Sequence, residues 1–470
     1  MNQDVQGGRG ESTIYIRGFD SKRIGVFMDG VPVYVPYDGN FDYGRFLTAD
    51  TAEIDVSKGY SSVVYGGNTM GGVINIVSKK PTKALEGNIK TEIILDSEGK
   101  MAKHRENINV GTRQKNFYAQ VGAVYEKQDH FRISDDYVAT ATQPKGDRLR
   151  SKAKDKKVSF KVGYVADDKS EIAISYLNQK GEKQQPPVTD VSYAKDKNWD
   201  WPYWNKETIS IVGQKNFESS YIKALAYYDT SKNALNSYDD NTFTTITKNW
   251  AFKSRYDDYS YGARLEYGLG IGNNFVKAAL NYKKDVHRGY DISKTSDVET
   301  LTEQYEDHTI SIGLEDSYTI SSQFELLAGV SYDQRKADKI YDTNTAYLNM
   351  LRLETQSSYS PQAALVYSPD NSSKVRASIS RKTYMPSMKD RYSRKFNSYV
   401  PNVDLKNEIA THYELSYQKQ YGAFSGGLNA YYSVVDDAIE SVVYIPNPSY
   451  KQNQNVGSFE HKGGELELNY

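Results

Sequence analysis

At 470 residues, with a formal net charge of −1 and no cysteine, the chain is too long for one small core. It carries no bulk field toward nucleic acid or anionic lipid, and it can form neither a disulfide nor a cysteine-based metal or redox site. A mean hydropathy of −0.70 and the lack of any run of about 18 apolar residues exclude helical membrane spans, but not a transmembrane barrel, in which only alternate residues face lipid.

The first eighty residues are glycine-rich and read as short strands at 14–17, 24–28, 53–56 and 73–77. The stretch 53–81, E-I-D-V-S-K-G-Y-S-S-V-V-Y-G-G-N-T-M-G-G-V-I-N-I-V-S-K-K-P, places glycines at 66, 67, 71 and 72, where they permit tight turns and close backbone approach. Met1 to Asp4 shows neither a charged n-region nor an apolar h-region, so no signal peptide is read there. Lys79-Lys80-Pro81-Thr82 reads as a linker, because proline ends pairing and the charges are solvated. The predicted organisation is a small plug-like unit over 1–82 and a β-domain over 83–470.

From about residue 84 the period is two. Phe324, Leu326, Ala328, Val330 and Tyr332 alternate with Glu325, Gly329 and Ser331, and Val158, Phe160, Val162 and Tyr164 alternate with Lys157, Ser159, Lys161 and Gly163. Such alternation marks half-buried strands. Short turns are predicted at 167–169, 270–273, 321–322 and 369–372, and long polar loops at 128–155, 181–205, 231–255, 286–304, 337–355 and 384–409. Short turns on one side and long loops on the other are the asymmetry of outer-membrane barrels, and roughly sixteen strands can be counted this way. The 41 tyrosines against 15 phenylalanines suit a membrane–water interface, since the ring is apolar and the hydroxyl wet. A soluble secreted β-protein with exposed tyrosines fits the composition alone equally well.

Segments of both predicted units carry a family resemblance. The segments 14–19 (I-Y-I-R-G-F), 29–33 (D-G-V-P-V) and 53–81 resemble the plug of TonB-dependent outer-membrane receptors, of the ferric-siderophore type. The segments 381–392 (R-K-T-Y-M-P-S-M-K-D-R-Y), 401–408 (P-N-V-D-L-K-N-E), 411–415 (T-H-Y-E-L) and 455–457 with 463–468 resemble their barrel. The resemblance implies an antiparallel all-β transmembrane barrel with an N-terminal α+β plug domain, in the outer membrane of a Gram-negative bacterium. It implies active uptake of a ferric siderophore, the plug gating the barrel, with TonB of the TonB–ExbB–ExbD complex as partner, outer-membrane lipid as surroundings and a monomer as the acting unit. The family barrel has about 22 strands and is preceded by a signal peptide, a TonB box and a longer plug. The expectation from this sequence is therefore a receptor truncated at both ends and not competent for transport as it stands. Cobalamin, copper, haem or a glycan are alternative cargoes, and a passive pore or adhesin is the alternative class; a passive pore has no use for a plug.

The resemblance also suggests sites. The loop after the 24–28 strand holds Tyr34, Tyr37, Asp38, Asn40, Phe41 and Tyr43, and in ferrichrome-type relatives a loop at this position touches the siderophore; aromatics with Asn and Asp suit a polar, planar ligand. Arg9 matches a ligand-contacting arginine loosely and could pair with an anionic ferric complex. Arg17 and Lys58 match basic positions that face wall carboxylates and hold the plug, while Glu53 stands where relatives often carry arginine. Residues 199–204, W-D-W-P-Y-W, hold three of the four tryptophans; Trp201 and Tyr203 are ligand candidates, with an interfacial aromatic girdle as the favoured reading. The histidines at 104, 130, 287, 308, 412 and 461 show no His-x-x-x-His spacing, so no metal site is assigned. No histidine stands between the Pro386 and Asn402 motifs, which disfavours haem. No nucleophile arrangement such as Gly-x-Ser-x-Gly occurs, so no enzyme and no cofactor is expected, iron entering only within the transported complex.

Overall fold

The computed structural model describes residues 2–6, 10–189, 196–394 and 398–470. An antiparallel ribbon of β1 (Asn2–Gln6) and β2 (Glu11–Tyr15) precedes a four-stranded sheet of β3 (Ile24–Met28), β4 (Val31–Pro32), β5 (Thr51–Lys58) and β6 (Gly72–Ser78), in the order β4-β3-β6-β5. β3 and β6 are parallel and β5 is antiparallel to β6. Ile16, Ile24, Val26, Phe41, Ile74 and Ile76 form the core of this plug. Its helical pieces are 3-10 turns at Ser21–Arg23, Tyr43–Arg45 and Val63–Tyr65. Gly72 is obligatory: its φ is +128°, and a Cβ there would sit 2.2 Å from the Ser57 carbonyl oxygen.

Sixteen antiparallel strands follow in chain order, from Glu86–Leu95 to Phe459–Asn469, each paired with its predecessor in the sheet. Their polarity is inverted relative to a soluble protein. On the strand Phe324–Asp342, Leu326 and Val330 are 37% and 42% exposed, whereas Ser331 and Asp333 are 4% and 1% exposed. The strand Glu299–Thr319 repeats the pattern, with Ile312 and Leu314 outward and Thr309 and Ser311 buried. Apolar-out and polar-in is the arrangement a bilayer stabilises, so the outward belt is the lipid face of a transmembrane barrel. Turns at 166–170, 217–219, 272–273, 320–323, 371–372 and 422–423 lie at one end, and the connections 129–152, 238–251, 343–354, 385–407 and 437–458 at the other.

Several predicted loops are strand. The segment 286–304 is mostly absorbed into Asn274–Ile292 and Glu299–Thr319, leaving 293–298 as the connection. A strand of 21 residues rises about 70 Å at ~3.3 Å per residue, or ~50 Å along the axis at the usual tilt, against ~30 Å of hydrocarbon. Beyond the lipid the outer face turns polar and the alternation fades, but the backbone ladder continues because its hydrogen bonds do not depend on it.

The plug is seated inside by contacts all round the wall. Lys157 pairs with Asp50 at 2.6 Å, Arg45 with Asp155 at 2.8 Å and Lys183 with Asp42 at 2.7 Å. On the opposite wall Arg23 Nε donates to Glu408 at 2.6 Å. The Val63–Tyr65 turn fits where the wall has glycine: a Cβ on Gly313 would lie 2.8 Å from the Val63 carbonyl oxygen.

Candidate ligand-binding site

The chain leaves β3 through Asp29-Gly30, both at positive φ, and after β4 runs along the end of the plug that faces the long loops. There residues 35–40 close a tight turn, with Val35 N–H donating to the Asn40 carbonyl at 2.8 Å and Gly39 N–H to the Val35 carbonyl at 2.9 Å. Gly39 holds a φ of +68°, which is open to glycine at no steric cost. Tyr34 and Tyr37 reach the same wall strand, Asn274–Ile292, Tyr34 against Lys283 and Asp285 and Tyr37 against His287.

The Tyr37 ring enters an aromatic socket. It stacks on His287 with centroids 4.1 Å apart and meets Tyr256 edge-on at 5.7 Å. His287 is fixed by Asp258 on Nδ1 at 2.7 Å and faces Glu303 on Nε2 at 3.3 Å. Burial pushes the Tyr37 hydroxyl well above its ordinary pKa. The Tyr37 carbonyl accepts from Lys389 N–H at 2.9 Å, which ties the turn to the short helix α1 (Met388–Tyr392). α1 is opened by a capping box between Ser387 and Asp390. Lys22 of the plug pairs with Asp390 at 3.4 Å. Burial acts to raise the Asp390 carboxyl, but the Lys22 ammonium and hydrogen bonds from Tyr384 and Ser387 outweigh it and hold the carboxyl below the usual range. Burial likewise acts to lower the Lys22 ammonium, and Asp390 outweighs it and raises it.

Two cavities flank the turn. The first brings Tyr37, Asp38, Asn40 and Phe41 together with Trp201, Trp204, Asn233 and Tyr256. Asp38 pairs with Lys389 at 3.3 Å, and Lys183 lies 4.7 Å over the Trp201 ring. The second is partly open to solvent. Lys22, Arg264, Lys283 and Arg335 line it as cations, Asp285 and Asp307 as anions, with Tyr34 and Tyr384 beside them. Tyr34 bridges Lys283 and Asp285, accepting from the ammonium at 3.1 Å and donating to the carboxylate. Lys283 also pairs with Asp285 at 3.2 Å, and Arg335 lies 3.7 Å from Asp307. Arg264 is different: its Nε donates to Asn281 at 2.7 Å and its guanidinium lies over Phe27 and Tyr65, and no carboxylate pairs with it among the described residues. The cavity therefore keeps one cation free to meet an anion.

The remaining sequence candidates fall elsewhere. Phe41 reaches the first cavity from the plug core, while Tyr43 packs into that core and lines neither cavity. Tyr203 lines neither, and Arg9 lies outside the described residues. Trp199 and Trp201 are buried and pack with Leu235, and Trp204 meets Phe41 edge-on at 4.9 Å, so these rings face the lumen rather than an interfacial girdle. Register shifts at Gly181/Lys183 and Asp200/Tyr203 break the simple alternation there. Arg17 pairs with Glu414 at 2.7 Å and Glu465 at 2.9 Å, and Lys58 with Glu465 at 3.1 Å. These join plug to wall and lie outside both cavities. Sequence reasoning missed Lys22, Arg264, Lys283, His287 and Asp390. The 381–392 motif was the one available signal, and it pointed to α1 without naming what α1 touches.

Comparison with known proteins agrees with this architecture. Residues 1–73 match the family model of the TonB-dependent receptor plug domain, and residues 162–470 match that of the TonB-dependent receptor-like β-barrel. A vitamin B12 transporter of Vibrio vulnificus is 25% identical over 264 residues, 53% of this chain. The chain spans 37% of that relative's length. The solved copper transporter OprC superposes with a TM-score of 0.80 at 15% identity, covering 99% of this chain and 71% of its own. A point mutant of the ferric enterobactin receptor PfeA of Pseudomonas aeruginosa gives 0.74 at 15% identity, covering 99% and 73%. At such identity the likeness is one of fold. The lipid-facing belt, the plug locked into the lumen and both family matches lead to one conclusion: the chain belongs to the TonB-dependent receptors.

Proposed function

We propose that the protein serves the uptake of an anionic ferric siderophore across the outer membrane of a Gram-negative bacterium, as a monomer. Ligand docks at the plug apex, and TonB of the TonB–ExbB–ExbD complex draws on the plug to open a path. The observation that carries the reading is Arg264, a cation without a carboxylate partner among the described residues, in a lumenal cavity under the long loops. A charge-assisted hydrogen bond from a guanidinium in such a site is stronger than a neutral one, and the cationic excess works against a free copper ion. The name of PfeA as a ferric enterobactin receptor supports the same cargo class.

A second reading is cobalamin, favoured by the vitamin B12 transporter among the sequence relatives. Tryptophan fluorescence separates the two, because Trp201 and Trp204 line the adjoining cavity. Titration of the purified protein with ferric siderophores, cobalamin and Cu²⁺ should quench with an anionic ferric siderophore; quenching by cobalamin alone overturns the iron reading.

A further inference from the structure

A second site lies away from the lumen, where the strands Glu86–Leu95 and Phe117–Gln128 end on the long-loop side. Asp96 opens the turn after the first strand, His130 stands just beyond the second, and Asp147 returns from the loop that follows. One ligand atom from each lies within 4.8 Å of the other two. His130 Nε2 is 3.1 Å from Asp96 Oδ2 and 3.9 Å from Asp147 Oδ1.

A histidine–aspartate hydrogen bond would account for Asp96 alone. It does not account for Asp147, whose carboxylate has no hydrogen bond among the described residues and turns to the same nitrogen. The cations nearby form their ion pairs elsewhere, although the Lys100 ammonium also feels the charges of Asp147 and Asp96. Arg132, backbone partner of Asp147, pairs with Glu98 at 2.6 Å and Asp135 at 3.5 Å, and Lys100 pairs with Glu98 at 2.8 Å. Two carboxylates thus converge on one imidazole nitrogen that can carry at most one proton. We propose that Asp96, His130 and Asp147 bind a divalent transition-metal ion of the Zn²⁺ type, which ties the turn at 96–100 to the loop at 131–148.

The donor set supports that choice. One imidazole nitrogen with two carboxylate oxygens suits Zn²⁺ or its first-row neighbours, whereas Ca²⁺ and Mg²⁺ favour oxygen alone. Ligands about 2.1 Å from a tetrahedral ion stand about 3.4 Å apart, which the first pair nearly meets. The second pair needs a shift of about 0.5 Å, available to an Asp147 side chain that is 47% exposed. The supports are in place: Asp96 Oδ1 accepts the N–H groups of Glu98 at 2.9 Å and Lys100 at 2.8 Å, fixing its carboxylate. The N–H groups of Asp129 and His130 both point to the Ala102 carbonyl.

The test is calorimetric titration of untagged, detergent-purified, EDTA-stripped protein with Zn²⁺. One site is expected, weakened at least tenfold in His130→Ala and about tenfold in Asp147→Asn. His104→Ala, whose ring pairs with Glu106 instead, should bind as the parent does. Zn²⁺ should slow protease cleavage within 131–148 in the parent but not in His130→Ala, and heat-modifiable gel mobility shows that each variant is folded. Absence of Zn²⁺ binding in the parent, unchanged affinity in folded His130→Ala, or displacement of Zn²⁺ by equimolar Ca²⁺ overturns the proposal.

Discussion

Tyr37 of the plug lies stacked on His287 of the barrel, with ring planes 19° apart and centroids at 4.1 Å. Beyond His287 come Tyr305 and then Tyr392 of α1, whose rings are 4.8 Å apart. A run of ring contacts thus links the plug apex, the wall and the loop above it. Pairing of aromatic rings is worth about 0.5–1.5 kcal/mol beyond area burial. A double-mutant cycle of Tyr37→Ala and His287→Ala in chemical denaturation should return a coupling energy of about that size. Coupling near zero would mean that the stack carries no energy.

Arg264→Gln should weaken binding of an anionic ferric siderophore by about 10- to 100-fold, the worth of one or two charge-assisted hydrogen bonds, with little change in melting temperature because no ion pair is broken. Arg264→Lys should recover part of the loss. Fluorescence titration at two salt concentrations checks this, and binding to the parent should be the more salt-sensitive.

The Lys22–Asp390 pair sets a pH window. The Asp390 carboxyl is held low, so its contribution is present above the ordinary carboxylate value of about 3.9 and is lost as pH falls below it. The Lys22 ammonium is raised, so its contribution is present below about 10.4 and is lost only as pH rises through its higher folded value. The melting-temperature difference between the parent and Asp390→Asn should be constant from about pH 5 to 9 and shrink below about pH 4.

Gly313→Val should unseat the plug locally, since even a Cβ meets the Val63 carbonyl at 2.8 Å. Overpacking costs of about 1–3 kcal/mol should appear as faster protease cleavage near residues 60–70. Gly213→Ala, on the wall strand Trp199–Asn216, where a Cβ meets nothing nearer than the Glu171 carbonyl oxygen at 4.0 Å, is the control for changes made outside that contact.

The barrel was legible because period-two alternation survives wherever lipid faces one side, as at Phe324 to Tyr332. Its loops were overdrawn because strands such as Asn274–Ile292 continue into water, where nothing enforces alternation. Tyr37 and Phe41 could be picked out as aromatics in a polar loop, but not that Phe41 also belongs to the plug core. His287 escaped notice because its partners, Asp258 and Glu303, come from neighbouring strands, and such register is not written in local spacing. The tryptophans of 199–204 read from sequence more readily as an interfacial girdle than as lumenal rings, because a bulge that turns side chains inward leaves no compositional trace.

The most direct test of transport is accumulation of radiolabelled iron, presented as an anionic ferric siderophore, in cells that lack their own siderophore receptors and express a receptor that contains this chain. The account predicts uptake that requires functional TonB and falls in Arg264→Gln. Uptake that persists without TonB, or accumulation of labelled cobalamin in place of iron, would contradict it.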